Sequence, residues 1–286
     1  MIVVTGANGK LGRAIAERLS ERIPASEVGV SVRDVENAAA LRARGIRVRQ
    51  GTFTDPASLR DSFEGASQLF LVSSGTTAGD TLIQHRNAID AALAAGVRRI
   101  VYTSHMGASD TSHFPPMRNH AATETMLRES GLPFTSLRNG FYASAGIMFM
   151  GNALETGKLI APEDGPVSWT AHADLVEAAV AVLTEEGRFE GPTPPLTSSS
   201  AVDMTEIAAI ASELTGRAID RVIVSDEDYR ASMVARGTPE VVVNIAMGMF
   251  LASRAREFAA VDPTLEKLIG RRPLSMRDVL VAQLSK

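Results

Sequence analysis

Met1-Ile-Val-Val-Thr-Gly-Ala-Asn-Gly-Lys-Leu-Gly12 decides the fold. Ile2–Thr5 is a short β-branched run of the kind that forms a buried strand. Leu11, Ile15 and Leu19 then recur at the four-residue spacing of one helix face. Gly6, Gly9 and Gly12 stand between strand and helix. Glycine there allows a tight turn, lets a ligand approach the backbone, and lets the helix pack closely on the strand. The helix start also points unpaired N–H groups and partial positive charge over the turn, which suits a pyrophosphate. Gly6, Asn8, Gly9, Lys10, Leu11 and Gly12 are therefore expected to bind a dinucleotide.

The alternation continues beyond this stretch. Apolar runs at Val28–Val32, 46–50, 69–72, 100–103 and 134–137 are separated by helical patterns, the signature of βαβ units and a parallel sheet. Asp80 opens a helix through Leu82, Ile89 and Leu93 that Gly96 closes, and a helix over 121–130 ends at Gly131. The expected fold class is α/β, a Rossmann doubly wound parallel sheet over residues 1–138. A smaller, mostly helical substrate lobe is expected over 139–286. Gly157, Pro162, Gly165 and Pro166 interrupt the alternation, and a helix over 174–183 is expected to pack back on the sheet. Asp203 with Glu206 three residues on predicts a capping box.

The end of the second strand bears on the cofactor. An NAD-binding chain usually places a carboxylate about 20 residues beyond the loop, against the ribose hydroxyls. Here the strand ends Val30-Ser31-Val32-Arg33. A guanidinium suits a 2′-phosphate by charge and bidentate geometry. Asp34 follows, but successive residues of an extended strand point opposite ways, so one of the pair faces the ribose. NADP(H) is the expected cofactor.

Composition excludes several other functions. The 286 residues are 45% hydrophobic and 22% charged, enough for a sizeable core, and the formal net charge of -4 offers no basic face for nucleic acid. There is no cysteine for a disulfide, a thiolate metal site or a nucleophile. His85, His105, His113, His120 and His172 show no metal-ligand spacing, and no GxSxG elbow supports a serine hydrolase. The first strand begins at once, with no basic or apolar leader, and the apolar stretch 241–252 is broken by Asn244 and too short to span a bilayer. No metal, nucleic-acid or membrane partner is expected, and the expected location is cytoplasmic. Met247, Met249 and Phe250 serve either the core or a dimer face, so a homodimer or a regulatory protein partner stays open.

Taken together, Val4-Thr-Gly-Ala-Asn-Gly-Lys-Leu-Gly12, Ser31-Val-Arg33, Tyr102-Thr-Ser104, His120-Ala-Ala-Thr-Glu124, Leu137-Arg-Asn-Gly-Phe-Tyr142 and Leu265-Glu-Lys-Leu-Ile-Gly270 resemble the NmrA-like atypical short-chain dehydrogenases over nearly the whole chain. The resemblance implies an NADPH-dependent reductase of flat, apolar, electron-poor molecules such as quinones or dyes. The alternative that it also admits is an NADP(H)-sensing regulatory protein with little turnover. It places Thr52 and Phe53 beside the adenine, although the family usually has an aspartate where this chain has Thr52. Ser73, Ser74 and Gly75 would run along the middle of the cofactor, and Thr103 and Ser104 near the nicotinamide ribose. Asn139, Phe141 and Tyr142 would lie at the nicotinamide end.

Ordinary short-chain dehydrogenases use a Tyr-x-x-x-Lys pair to exchange a proton with the substrate carbonyl. Counting back from Leu137-Arg138, His120 takes the lysine position and Pro116 the tyrosine position. A quinone or a cationic dye relaxes the need for that acid, because its reduced form can take a proton from water. His120 and Tyr142 are the catalytic candidates, with His120 expected to hydrogen-bond the nicotinamide ribose. Phe141, Tyr142 and the surroundings of Trp169 are candidates for an apolar acceptor face, with core packing as the alternative for each.

Overall fold

Both faces of the first strand are buried, and the sheet extends outward from it on either side. In this computed structural model residues 1–74 and 80–285 are described. The chain begins β1 (Ile2–Thr5), α1 (Lys10–Ser20), β2 (Val28–Val32), α2 (Ala39–Ala43), β3 (Arg47–Gln50), α3 (Pro56–Phe63), β4 (Gln68–Leu71) and α4 (Thr81–Ala94). It continues β5 (Arg99–His105), α5 (Pro115–Glu129), β6 (Phe134–Asn139), β7 (Phe141–Tyr142), α6 (Ala143–Phe149), α7 (Ala153–Thr156) and β8 (Lys158–Pro162). Then come β9 (Trp169–Thr170), α8 (His172–Thr184), β10 (Gly191–Pro192), α9 (Met204–Thr215), β11 (Asp220–Val224) and α10 (Asp226–Ala235). The chain closes with α11 (Glu240–Arg254), α12 (Thr264–Ile269) and α13 (Met276–Leu284). Two compact units result. The first comprises Met1–Ser104, Asn119–Arg138 and Val176–Thr193; the second comprises His105–Arg118, Asn139–Leu175 and Pro194–Lys286.

The first unit holds the parallel sheet, in which seven described strands run in the order β10-β6-β5-β4-β1-β2-β3. Val4 is in register with Val30 on one side and Phe70 on the other. Strand order therefore reverses between β1 and β4, and beyond the carboxyl ends of two such strands a crevice opens. Leu11, Ile15 and Leu19 of α1 are buried, as their spacing requires. Leu59, Phe63, Leu69, Leu71, Ile89 and Ile100 belong to a core cluster of this unit.

Several boundaries differ from the sequence pattern. The helix expected over 121–130 begins at Pro115, because the first turn of a helix needs no proline amide. The fourth strand is Gln68–Leu71 rather than 69–72, and the Val72 amide donates to Thr5 Oγ1 at 2.9 Å. The third begins at Arg47 rather than 46, and the helix expected over 174–183 is His172–Thr184. Strand β10 had no sequence signal. It pairs with β6 at the sheet edge, where a proline costs no ladder bond. The buried Arg99 beside it donates to Phe189 O and Thr135 Oγ1 and pairs with Glu190 at 3.0 Å.

The second unit has an aromatic core. Phe141 meets Trp169, Phe258 and Phe114 with ring centroids 5.0–5.4 Å apart. Trp169 is fully buried and its Nε1–H donates to Val202 O at 3.0 Å. Both aromatics are thus committed to core packing. Met247, Met249 and Phe250 are buried as well, so this helix face belongs to the core. Strands β8 and β11 pair in parallel, as do β7 and β9. Among the described residues no helix is long and apolar enough to cross a membrane.

Helix α9 starts with the expected capping box: Asp203 accepts from the Glu206 amide at 2.8 Å, and Glu206 accepts from the Asp203 amide at 3.0 Å. Replacing Asp203 by Ala is expected to lower the unfolding free energy by about 1 kcal/mol. Asp203→Asn should keep most of it, because the amide oxygen still accepts. The shift in urea midpoint for each variant measures this.

Candidate dinucleotide site

The turn after β1 is shaped by backbone geometry that side chains would obstruct. Gly6 has φ +64°, a left-handed conformation open to glycine at no steric cost. A Cβ on Gly12 would lie 2.7 Å from the Gly6 carbonyl oxygen and 2.9 Å from that of Thr5. The Gly9 amide donates to Gly6 O at 2.9 Å and closes the turn. Lys10, Leu11 and Gly12 form the first turn of α1, which has no side-chain cap and no acidic residue. Its N-terminus can therefore receive an anion.

A cleft of about 620 Å³ opens beyond the strand ends, within the first unit. Gly6, Asn8 and Gly9 line it, with Arg33 from the end of β2, Thr52 and Phe53 after β3, and Ser73 and Ser74 after β4. Gly75 lies outside the described residues. These positions converge because β1, β2, β3 and β4 are parallel neighbours and end on the same side.

Arg33 and Asp34 part ways as an extended chain requires. Asp34 turns its carboxylate onto its own loop, accepting from the Glu36 amide at 2.9 Å and from Asn37 Nδ2 at 2.7 Å. Asn8 Nδ2 donates to the Asp34 carbonyl and Gln50 Nε2 to that of Arg33, which fixes the backbone beside the cleft. The exposed Arg33 guanidinium is the charged side chain lining the cleft and suits a 2′-phosphate. At the adenine-side positions the Phe53 carbonyl is held by Asn87 Nδ2 at 2.9 Å. Thr52 Oγ1 lies 3.1 Å from Thr54 Oγ1, in the place where the resembling family has a carboxylate.

The remaining expected residues do not line this cleft. Thr103 Oγ1 accepts from the Ser73 amide at 2.7 Å, so it shapes the wall from behind. Ser104 donates to Glu124 at 2.7 Å, and Glu124 also receives the Arg138 guanidinium at 2.7 and 3.1 Å. His120 Nδ1 lies 2.8 Å from the Tyr102 hydroxyl. Desolvation, with the neighbouring His85 adding to it, pushes the His120 imidazole down to about 3. Within the second unit, burial holds the Tyr142 phenol above its ordinary value against a hydrogen bond from the Asn139 side chain. The Tyr142 ring packs on His172 at 4.3 Å. Phe141 points into the aromatic core.

A strand-order reversal, a glycine turn without room for side chains and a guanidinium at the second strand end together describe a dinucleotide cleft. A family model described as NAD(P)H-binding matches residues 6–186. The chain belongs to this NAD(P)H-binding family. It is 37% identical over 271 residues to quinone oxidoreductase 2 of Escherichia coli K12, covering 94% of each protein. The structure of an NADPH-dependent quinone oxidoreductase from Escherichia coli in complex with NADPH is similar over 100% of both chains, with TM-score 0.93 and 35% identity. The Citrobacter sp. triphenylmethane reductase complexed with NADP(H) is similar over 99% of both, with TM-score 0.91 and 33% identity.

Sequence reasoning missed Thr5, Ser31, Val32, Gly51, Thr54, Val72 and Gln84, which also line the cleft. Most sit at or just past strand ends, so the strand boundaries contained the signal. Gln84 and the adjacent His85 had none, since their partners are distant in sequence.

Burial also lowers the His85 imidazole, from 6.5 to about 4. With both histidines depressed in the folded chain, the unfolded chain takes up protons first as pH falls. Their contribution is complete above pH 6.5 and is lost as pH drops through about 4 for His85 and about 3 for His120. In an NMR titration neither imidazole should show an inflection between about pH 5 and pH 8.

Proposed function

We propose that the protein is an NADPH-dependent reductase that delivers hydride to a flat, electron-poor acceptor, a quinone or a similar dye. The single supporting observation is full-length likeness to an NADPH-dependent quinone oxidoreductase at TM-score 0.93. The cleft fits the cofactor: Gly6 and Gly9 with the α1 N-terminus take the pyrophosphate, and Arg33 takes the 2′-phosphate. Thr52 and Phe53 flank the adenine, Ser73 and Ser74 the middle of the cofactor, and His120 hydrogen-bonds the nicotinamide ribose.

Bound NADPH supplies the hydride, and a quinone that receives it needs one further proton, which water can provide. This chemistry suits a chain with Pro116 where ordinary short-chain dehydrogenases have their tyrosine. The protein's contribution is then positioning and an apolar surface. Tyr142, the second catalytic candidate, is kept protonated at neutral pH by burial, so its phenol can donate a hydrogen bond.

The test is NADPH oxidation by the purified protein with a panel of quinones and triarylmethane dyes. Turnover is expected with some members and should vanish in Gly12→Val, whose side chain has no room against the Gly6 carbonyl. Arg33→Ala should raise the Michaelis constant for NADPH about 10- to 100-fold and leave that for NADH nearly unchanged. Tight NADPH binding with no oxidation of any acceptor would overturn the reductase in favour of a protein that senses the cofactor's redox ratio.

A further inference from the structure

Three successive amides beyond β4 donate to side chains. Val72 donates to Thr5 Oγ1 at 2.9 Å, Ser73 to Thr103 Oγ1 at 2.7 Å, and Ser74 to His85 Nε2 at 2.9 Å. The first two acceptors are hydroxyls on the neighbouring strands β1 and β5, so the sheet itself supplies them. The third is different. It comes from a fully buried ring on α4, and it holds the part of the cleft wall formed by Ser73 and Ser74.

The hydrogen bonds around His85 assign its tautomer. The Ser74 N–H donates, so Nε2 is bare and the ring proton sits on Nδ1. From there it donates to Thr123 Oγ1 at 2.7 Å. The Thr123 hydroxyl passes its own hydrogen to Asn119 O at 2.8 Å. A directed chain thus runs from the wall of the cleft through α4 to the backbone of α5. The Tyr102 ring meets the imidazole edge-on at 5.5 Å and fixes its plane. Adjacent in sequence, Gln84 Oε1 accepts from Ser74 Oγ and lines the cleft too. Burial keeps the ring neutral, the form that can accept.

We propose that His85, oriented by Thr123, is a positioning residue that sets the pose of the Ser73–Ser74 wall for the half of the cofactor beyond the pyrophosphate. This rests on the NADPH cleft proposed above. The adenosine half does not depend on it: the glycine turn closes through Gly9 N and Gly6 O, and the Arg33 backbone is held by Gln50. Losing the His85 acceptor removes one of the hydrogen bonds that hold Ser74 in place, and the wall shifts.

The experiment compares two ligands, NADPH and adenosine 2′,5′-bisphosphate, which contains only the adenosine end. His85→Asn keeps a polar group near Thr123 but is too short to reach the Ser74 amide. It should weaken NADPH about tenfold and leave the bisphosphate unchanged. His85→Gln, whose Oε1 extends toward the position of Nε2, should recover part of the loss. Thr123→Val removes the group that orients the ring at nearly constant shape and should give the same split, only smaller. It carries the test if His85→Asn does not fold. Equal weakening of both ligands would mean a general loss of structure and would overturn the proposal. So would NADPH affinity that both His85→Asn and Thr123→Val leave intact while the bisphosphate still binds. Failure of the unmodified protein to bind either ligand would sink the cofactor cleft itself, a distinguishable result.

Discussion

The rest of the structure depends on how closely α1 approaches the turn before it. With 2.7 Å between a Cβ at Gly12 and the Gly6 carbonyl oxygen, any side chain there would push the helix away from β1. Because the position is glycine, Leu11, Ile15 and Leu19 reach the core, and the helix start stays over the turn. The same contact that completes the packing therefore aims the amides of the first turn at the cleft. Stability and ligand recognition share one backbone constraint.

Around that constraint the sheet supplies direction. The four strands β1 to β4 end on one side, and each end contributes a different chemistry: bare backbone after β1, a guanidinium after β2, threonines and an aromatic ring after β3, hydroxyls after β4. The reversal of strand order between β1 and β4 sends the connections after them in opposite directions and leaves room between those connections. At Arg33 and Asp34 two neighbouring charges are put to different uses. An Asx-type turn through Glu36 and Asn37 retires the carboxylate, and the cation lines the cleft.

The polar residues of α5 and β6 are used differently. Thr123 and Glu124 of α5 and Arg138 of β6 fall within the segments that carry the sequence resemblance, yet none lines the cleft. Thr123 receives His85, and Glu124 gathers Ser104 and Arg138. They anchor the ends of β5 and β6 and the wall after β4. Such groups, buried or half-buried and paired with one another, hold strand ends where hydroxyls and amides would otherwise face competing water.

Much of the first unit, and one helix start of the second, was legible from local pattern. Strand runs, the helix face at Leu11, Ile15 and Leu19, the glycine turn and the Asp203 box all follow from interactions within a few residues, so periodicity and turn chemistry reveal them. The sequence by itself also put Arg33 at the end of the second strand. Only the tertiary structure decided that Trp169 and Phe141 belong to a core and that Gly191–Pro192 adds a strand to the sheet edge. It also decided that His85, which no motif singled out, holds the cleft wall after β4. Those facts depend on partners far along the chain: Thr123 lies 38 residues from His85, and Val202 lies 33 residues from Trp169. Nothing in a local pattern encodes which distant side chain a buried polar or aromatic group will meet.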